Sequence, residues 1–200
     1  MKFIQKIILM LALFVSLYAQ CAATNDPIVI WGTPVSPFVR KVLTVAEAKG
    51  ISYSHNQTLP KVLLDATNQP VPEGFLQASP LGKIPAISQG DFFLADSAVI
   101  AVYLDKLSKE TSLYPTCPKM LARALWFEKY ADTRMTEVLT QIFVEKFVKK
   151  VVLSQDANPE VFQALYKQLP EILSYLESQI DSNSKYLVDE QFTIGDIAVG

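Results

Sequence analysis

At 200 residues, half of them apolar, the chain can bury one substantial core or two small ones and is too hydrophobic for a disordered tail. Its 18 basic and 20 acidic residues leave a net charge of −2, which argues against nucleic acid as a partner. Two cysteines, Cys21 and Cys117, and a single histidine, His55, provide no cluster suited to a metal.

The first element in chain order reads as a leader. Lys2 and Lys6 precede an apolar run from Ile7 to Leu17, and small residues follow at Ala19, Ala22 and Ala23. A basic start, an apolar stretch too short for a comfortable membrane span and small residues at its end have the form of a secretory signal peptide over residues 1–23. Export to a periplasm or to the outside is expected. The alternatives are an uncleaved anchor, or a misassigned start and with it a cytoplasmic protein, because the strand after Pro27 needs nothing upstream. Cleavage near Ala23 would remove two lysines and no acids, leaving 16 basic against 20 acidic residues, a net −4. It would also leave Cys117 alone, so no internal disulfide is expected.

"IVIWG" at 28–32 reads as a buried strand stopped by Gly32. From Pro37 to Lys49, Phe38, Val42, Val45 and Ala46 recur at helical steps, and Gly50 stands where a C-terminal cap belongs. Ile51, Tyr53 and His55 alternate as in a strand, with His55 read as an exposed strand residue rather than a catalyst. Asn56-Gln57-Thr58 is a formal glycosylation sequon. Residues 60–80, rich in Pro, Asn and Gln, support one or two short helices. "KIPAIS" and "DFFLA" form a hairpin about Gln89-Gly90. A helix from Asp96 to Leu107, capped by Asp96, presents Val99, Ile100, Tyr103, Leu104 and Leu107. Residues 28–108 thus form a compact α/β domain.

A polar, proline-containing linker at 109–117 leads into a helical domain at 118–200. The pattern over Pro118–Val152 is long for one helix, so a break is expected near Phe143. Pro170 is expected to kink the run from Pro159 to Ile180. Lys146, Lys149 and Lys150 beside Glu145 read as a solvated face. In "FTIGDIAVG", Thr193 and Asp196 can close a capping box, and Phe192 and Ile197 have hydrophobic-staple spacing. A helix started so firmly is expected to continue past Gly200, so the helical domain reads as incomplete.

Ser36-Pro37 opens the first helix, with Ser36 suited to cap it and Pro37 to its first turn. The same spot suits chemistry, because a helix N-terminus favours an anion such as a thiolate. A dithiol exchanger is excluded, since Ser36-Pro37-Phe38-Val39 stands where Cys-Pro-x-Cys would be required.

Taken together, "SPFVRKV", "GKIPAI", "ADSAVI" and "FTIGDIAV" in this order resemble the glutathione S-transferase superfamily, bacterial-type and serine-using, across residues 28–200. The resemblance implies a thioredoxin-like N-terminal domain followed by an all-α domain, with glutathione as co-substrate and no metal. It also implies a detoxifying transferase that conjugates glutathione to small hydrophobic electrophiles and works as a homodimer. Ser36 would donate a hydrogen bond to the glutathione sulfur, with Thr33 the nearest substitute hydroxyl. Ile84-Pro85 would be a cis bond offering the Ile84 backbone to the cysteinyl unit as an added strand does. Lys83 would face the glycine carboxylate, Asp96 the ammonium, and Ser97 with its helix N-terminus the α-carboxylate. The family more often has glutamate or glutamine at the position of Asp96. Trp126, Phe127 and Tyr130 read as core rather than pocket. The competing expectation is a non-catalytic glutathione-binding or protein-interaction module of the same fold.

Overall fold

The structure, a computed structural model, describes residues 26–180 and 183–200. The expected leader, with Cys21, lies outside the described residues. The first half comprises β1 (Ile28–Trp31), α1 (Pro37–Ala48), β2 (Tyr53–Asn56), α2 (Lys61–Ala66), α3 (Phe75–Ala78), β3 (Ala86–Gln89), β4 (Phe92–Ala95) and α4 (Ser97–Leu107). The sheet order is β2-β1-β3-β4, with β1 and β2 parallel and β3 and β4 antiparallel to their neighbours. This is the thioredoxin-like arrangement.

The period of two in β1 divides the core. Ile28 and Ile30 face Val42, Val45 and Ala46 of α1 and Ile100, Ala101 and Leu104 of α4, whereas Val29 and Trp31 face Phe75 and Ala78 of α3. Each fully buried valine or leucine in this packing contributes about 1.5–3 kcal/mol. Helix α1 stops where expected. Gly50, at φ +62°, donates to Glu47 O at 3.1 Å while Ile51 N–H reaches back to Ala46 O at 2.9 Å, which together form a Schellman cap. The hairpin turn falls one residue later than the sequence implied. Gln89 pairs with Phe92, so Gly90-Asp91 forms the turn and Gly90 takes φ +60°.

The second half is helical: α5 (Pro118–Tyr130), α6 (Thr136–Phe143), α7 (Pro159–Tyr166), α8 (Leu169–Gln179) and α9 (Ile194–Val199). No break occurs at Phe143. The backbone widens instead into π-helical turns at Ala131–Met135 and Val144–Val152, and the rod runs on to Leu153. Nor does Pro170 kink a single helix. The chain turns between Tyr166 and Leu169, and Pro170 sits in the first turn of α8, where its missing N–H costs no hydrogen bond.

Helix α9 begins as expected. Asp196 Oδ2 accepts from the Thr193 N–H at 2.8 Å and the Thr193 hydroxyl at 3.0 Å, and Oδ1 accepts from Leu187 N–H at 2.8 Å. A Cβ on Gly195 would lie 3.1 Å from Phe127 Cβ and 3.2 Å from Ala124 O, so glycine allows α9 its close approach to α5. The staple does not form as expected, because Ile197 enters the core while the exposed Phe192 ring lies against Tyr186.

Candidate active site

Strand register gathers the site. Trp31 pairs with Ala86, Ala86 pairs with Ala95, and β2 ends in the same row at Asn56. The residues just past that row, Gly32 to Ser36, Ile84-Pro85 and Asp96-Ser97, therefore leave the sheet at one end despite their separation in the chain. The approach is close. A Cβ on Gly32, at φ +139°, would lie 2.5 Å from Val39 Cγ2 and 3.1 Å from Ile84 Cβ.

Pro34 occupies the second position of a turn closed by Ser36 N–H donating to Thr33 O at 3.0 Å, and Arg40 Nη1 donates to the carbonyls of Pro34 and Val35 at 3.3 Å each. Ser36 holds the N-cap position by its backbone, with its carbonyl accepting from Arg40 N–H at 3.0 Å. Its hydroxyl, contrary to the capping expectation, makes no hydrogen bond to the helix. The half-buried hydroxyl is left available beside the first-turn N–H groups of a twelve-residue helix. The Thr33 hydroxyl is engaged with Val35 N–H at 3.4 Å.

The Ile84-Pro85 peptide bond is cis. Among the described residues, neither the N–H nor the C=O of Ile84 joins a loop or turn hydrogen bond, and the ladder to β1 ends at Ala86. The preceding turn is held from below. Ser79, fully buried, donates through its hydroxyl to Lys83 O at 2.6 Å, and Gly82 O accepts from Lys61 N–H at 2.8 Å. The Lys83 side chain is exposed.

Asp96 caps α4 through Oδ1, which accepts from Ala98 N–H at 3.0 Å and Val99 N–H at 3.2 Å. Both bonds fall on one oxygen, leaving Oδ2 for another partner. Its backbone sits at φ +81°, ψ 123°, a conformation that costs a non-glycine residue about 1–3 kcal/mol and is characteristic of functional sites. Ser97 follows, buried, as the first residue of the helix.

Two further features of this end were not anticipated. His55, rather than being simply exposed, is half-buried and donates from Nε2 to Gly32 O at 2.7 Å, behind the Thr33–Ser36 loop. Lys41 of α1 is 3 % exposed, with Nζ 3.1 Å from Glu128 Oε1 and 2.6 Å from Asp132 Oδ2 across the boundary to the helical half. Burial holds the Glu128 carboxyl above its ordinary range, Lys41 offsets part of this, and Asp132 and Asp96 add to it. Phe127 is fully buried as expected, but Trp126 is 48 % exposed, its Nε1 donating to Tyr175 OH at 2.6 Å. Cavities over Pro159, Gln163 and Lys167 (about 500 Å³) and among Lys119, Arg123 and Tyr186 (about 330 Å³) share no residue with this end.

Residues 35–107 match the family model for the glutathione S-transferase N-terminal domain, and residues 130–199 match the model for the C-terminal domain. Among characterised proteins, the chain is 29 % identical over 126 residues to mouse (Mus musculus) glutathione S-transferase theta-3, a match covering 62 % of this chain and 52 % of the relative. It is 28 % identical over 173 residues to maize (Zea mays) glutathione S-transferase 3, covering 85 % and 74 % of the two chains. The chain thus spans about half the length of the theta relative. Among solved structures, the fold is shared with glutathione S-transferase III in apo form (TM-score 0.69, 25 % identity, 86 % of this chain and 77 % of that one). It is shared also with the theta class glutathione S-transferase of Xanthomonas axonopodis pv. citri with glutathione bound (TM-score 0.72, 23 % identity, 87 % and 79 %). With one model on the sheet and the other on the helices, together spanning more than half of its length, this chain belongs to the glutathione S-transferase family.

Proposed function

We propose that the protein binds glutathione at the Trp31–Ala86–Ala95 end of the sheet and transfers its sulfur to a small apolar electrophile, with Ser36 stabilising the thiolate. The observation that carries this reading is the Ser36 hydroxyl, which stands at the N-terminus of α1 without being spent on capping it. A hydroxyl donor and a helix N-terminus at one point both favour thiolate over thiol. The register supports a place for the rest of the ligand. The open backbone of Ile84 suits the cysteinyl amide, Asp96 Oδ2 the γ-glutamyl ammonium, and Ser97 with the α4 N-terminus its α-carboxylate. Lys83, exposed at the edge of the same turn, would meet the glycine carboxylate.

The protein's own residues then hold the peptide, keep a proton off sulfur and leave the sulfur to attack the electrophile. The electrophile's leaving group departs with the electron pair, or the added carbon takes up a proton. Apolar residues exposed on β4, α4 and α5, namely Phe92, Val99, Val102, Leu125 and Trp126, support pairing of two copies as a homodimer. Calorimetric titration with glutathione followed by turnover of a generic aryl halide tests the proposal. Saturable binding with turnover supports it, binding without turnover reduces the protein to a glutathione-binding module, and no binding refutes it.

A further inference from the structure

The Lys41 cluster lies on the helix that begins at Ser36 and has a composition that stability alone does not explain. One ammonium, buried on α1, is shared by two carboxylates of the helical half, the buried Glu128 and the partly exposed Asp132, so acidic groups outnumber the cation at a largely buried point. Glu128 belongs to α5 and Asp132 to the π-helical turn that follows, and the four-residue spacing with the widened turn brings both onto the same nitrogen. The Tyr114 hydroxyl, buried and pushed well above the ordinary phenol range by burial and then by Glu128, Asp105 and Asp132, is the one buried side-chain polar atom among the described residues without a hydrogen-bond partner. Replacing a largely buried ion cluster of this kind by apolar groups is commonly neutral or stabilising, so stability alone gives no reason for it.

What the cluster does bear on is the placement of α1. Lys41 lies five residues beyond Ser36 on the same helix, and its side chain is an ionic tie from that helix to the helical half. We infer that Lys41, held by Glu128 and Asp132, is a positioning residue for the sulfur site: it locks the helix that begins at Ser36 and so sets where the Ser36 hydroxyl stands. The inference rests on the glutathione reading above. A displacement of about 1 Å in a reacting group can cost on the order of a hundredfold in rate, whereas the peptide contacts at Ile84, Asp96 and Ser97 belong to other elements and need not move.

The test measures the pKa of the bound glutathione thiol by thiolate absorbance, together with kcat, the glutathione Kd and thermal stability, in the full chain and its variants. Lys41→Met should raise the bound-thiol pKa by roughly half a unit or more and lower kcat several-fold, with the glutathione Kd changed less than about twofold. Lys41→Arg, which can still engage both carboxylates, should restore most of the pKa and kcat. Because Lys41→Met strands the buried Glu128 and the partly exposed Asp132 and can fail to fold, the charge-free K41M/E128Q/D132N chain is measured beside it, and it should show the same raised pKa with stability close to the parent. If the parent lowers the thiol pKa and the charge-free variant lowers it equally, Lys41 is only a structural residue and the inference is overturned. If the parent itself leaves the thiol at its free value, the glutathione reading fails first and takes this inference with it.

Discussion

His55 Nε2 lies 2.7 Å from the carbonyl oxygen of Gly32, so the end of β2 holds the chain where β1 gives way to the Thr33–Ser36 loop. The bond requires the ring proton on Nε2. His55→Leu removes the donor and leaves a half-buried carbonyl unpaired, at an expected cost of about 1–3 kcal/mol. His55→Gln keeps a donor and should lose less. Urea unfolding of both variants checks the order, and equal stability of His55→Leu and the parent would contradict it.

Two buried carboxylates should give opposite pH dependences. Burial works to raise the Asp105 carboxyl, but the Ser112 hydroxyl, the Leu113 N–H and Lys49, 3.1 Å away, together hold it below the ordinary range. A depressed folded pKa contributes stability above the unfolded value of about 3.9, and that stability is lost as pH falls through the folded value. Glu128, raised by burial, has the reverse sign: its contribution is present below the unfolded value of about 4.3 and is lost as pH rises through the folded value. Asp105→Asn should cost about 3–5 kcal/mol near neutral pH, because it strands the Lys49 ammonium, and should flatten the acid limb. Glu128→Gln should flatten the opposite limb. Guanidinium unfolding across a pH series would show this, and parallel profiles for both variants and the parent would exclude it.

Asp196 serves three donors at the start of α9, two on Thr193 and one on Leu187. Asp196→Ala should therefore exceed a simple cap loss and cost about 2 kcal/mol or more. Asp196→Asn, retaining one acceptor oxygen, should fall between. A loss below about 0.5 kcal/mol for the alanine variant, read from chemical unfolding, would show that the network adds nothing.

Legibility differed by the kind of signal. A short apolar run stopped by Gly32 disclosed β1, helical spacing disclosed α1 and α4, and short-range chemistry disclosed the Asp96 cap, the Gly50 cap and the Thr193–Asp196 box, because each is decided within a few residues. The joining of Ser36, Ile84 and Asp96 came from motif resemblance, and only register gives it a physical cause. The π-helical turns left no mark in sequence, since their hydrophobic pattern passes for ordinary helix. Ser36 misled because residue type marks a helix start but not where the hydroxyl turns. Lys41, Lys49, Asp105 and Glu128 did leave a trace: each stands at a position three or four residues from core apolar residues of its own helix, where a charge needs a buried partner.

The leader over residues 1–23 remains a proposal that sequence alone supports. A reporter fused after Ala23 should leave the cytoplasm, and mature protein should begin near Thr24. N-terminal sequencing that finds Met1 intact on cytoplasmic protein would contradict it.

In the proposed reaction the Ser36 hydroxyl holds the sulfur of bound glutathione as a thiolate. Since that hydroxyl makes no cap bond, Ser36→Ala should change stability by less than about 0.5 kcal/mol, rather than the 0.5–2 kcal/mol of a lost cap. The decisive measurement is the pKa of the bound thiol, followed by thiolate absorbance, in parent and Ser36→Ala protein. The parent value should lie below the free thiol's, about 8.5, and the value in Ser36→Ala close to the free one, with glutathione affinity retained and turnover near neutral pH reduced. The same depressed pKa in both proteins would contradict it.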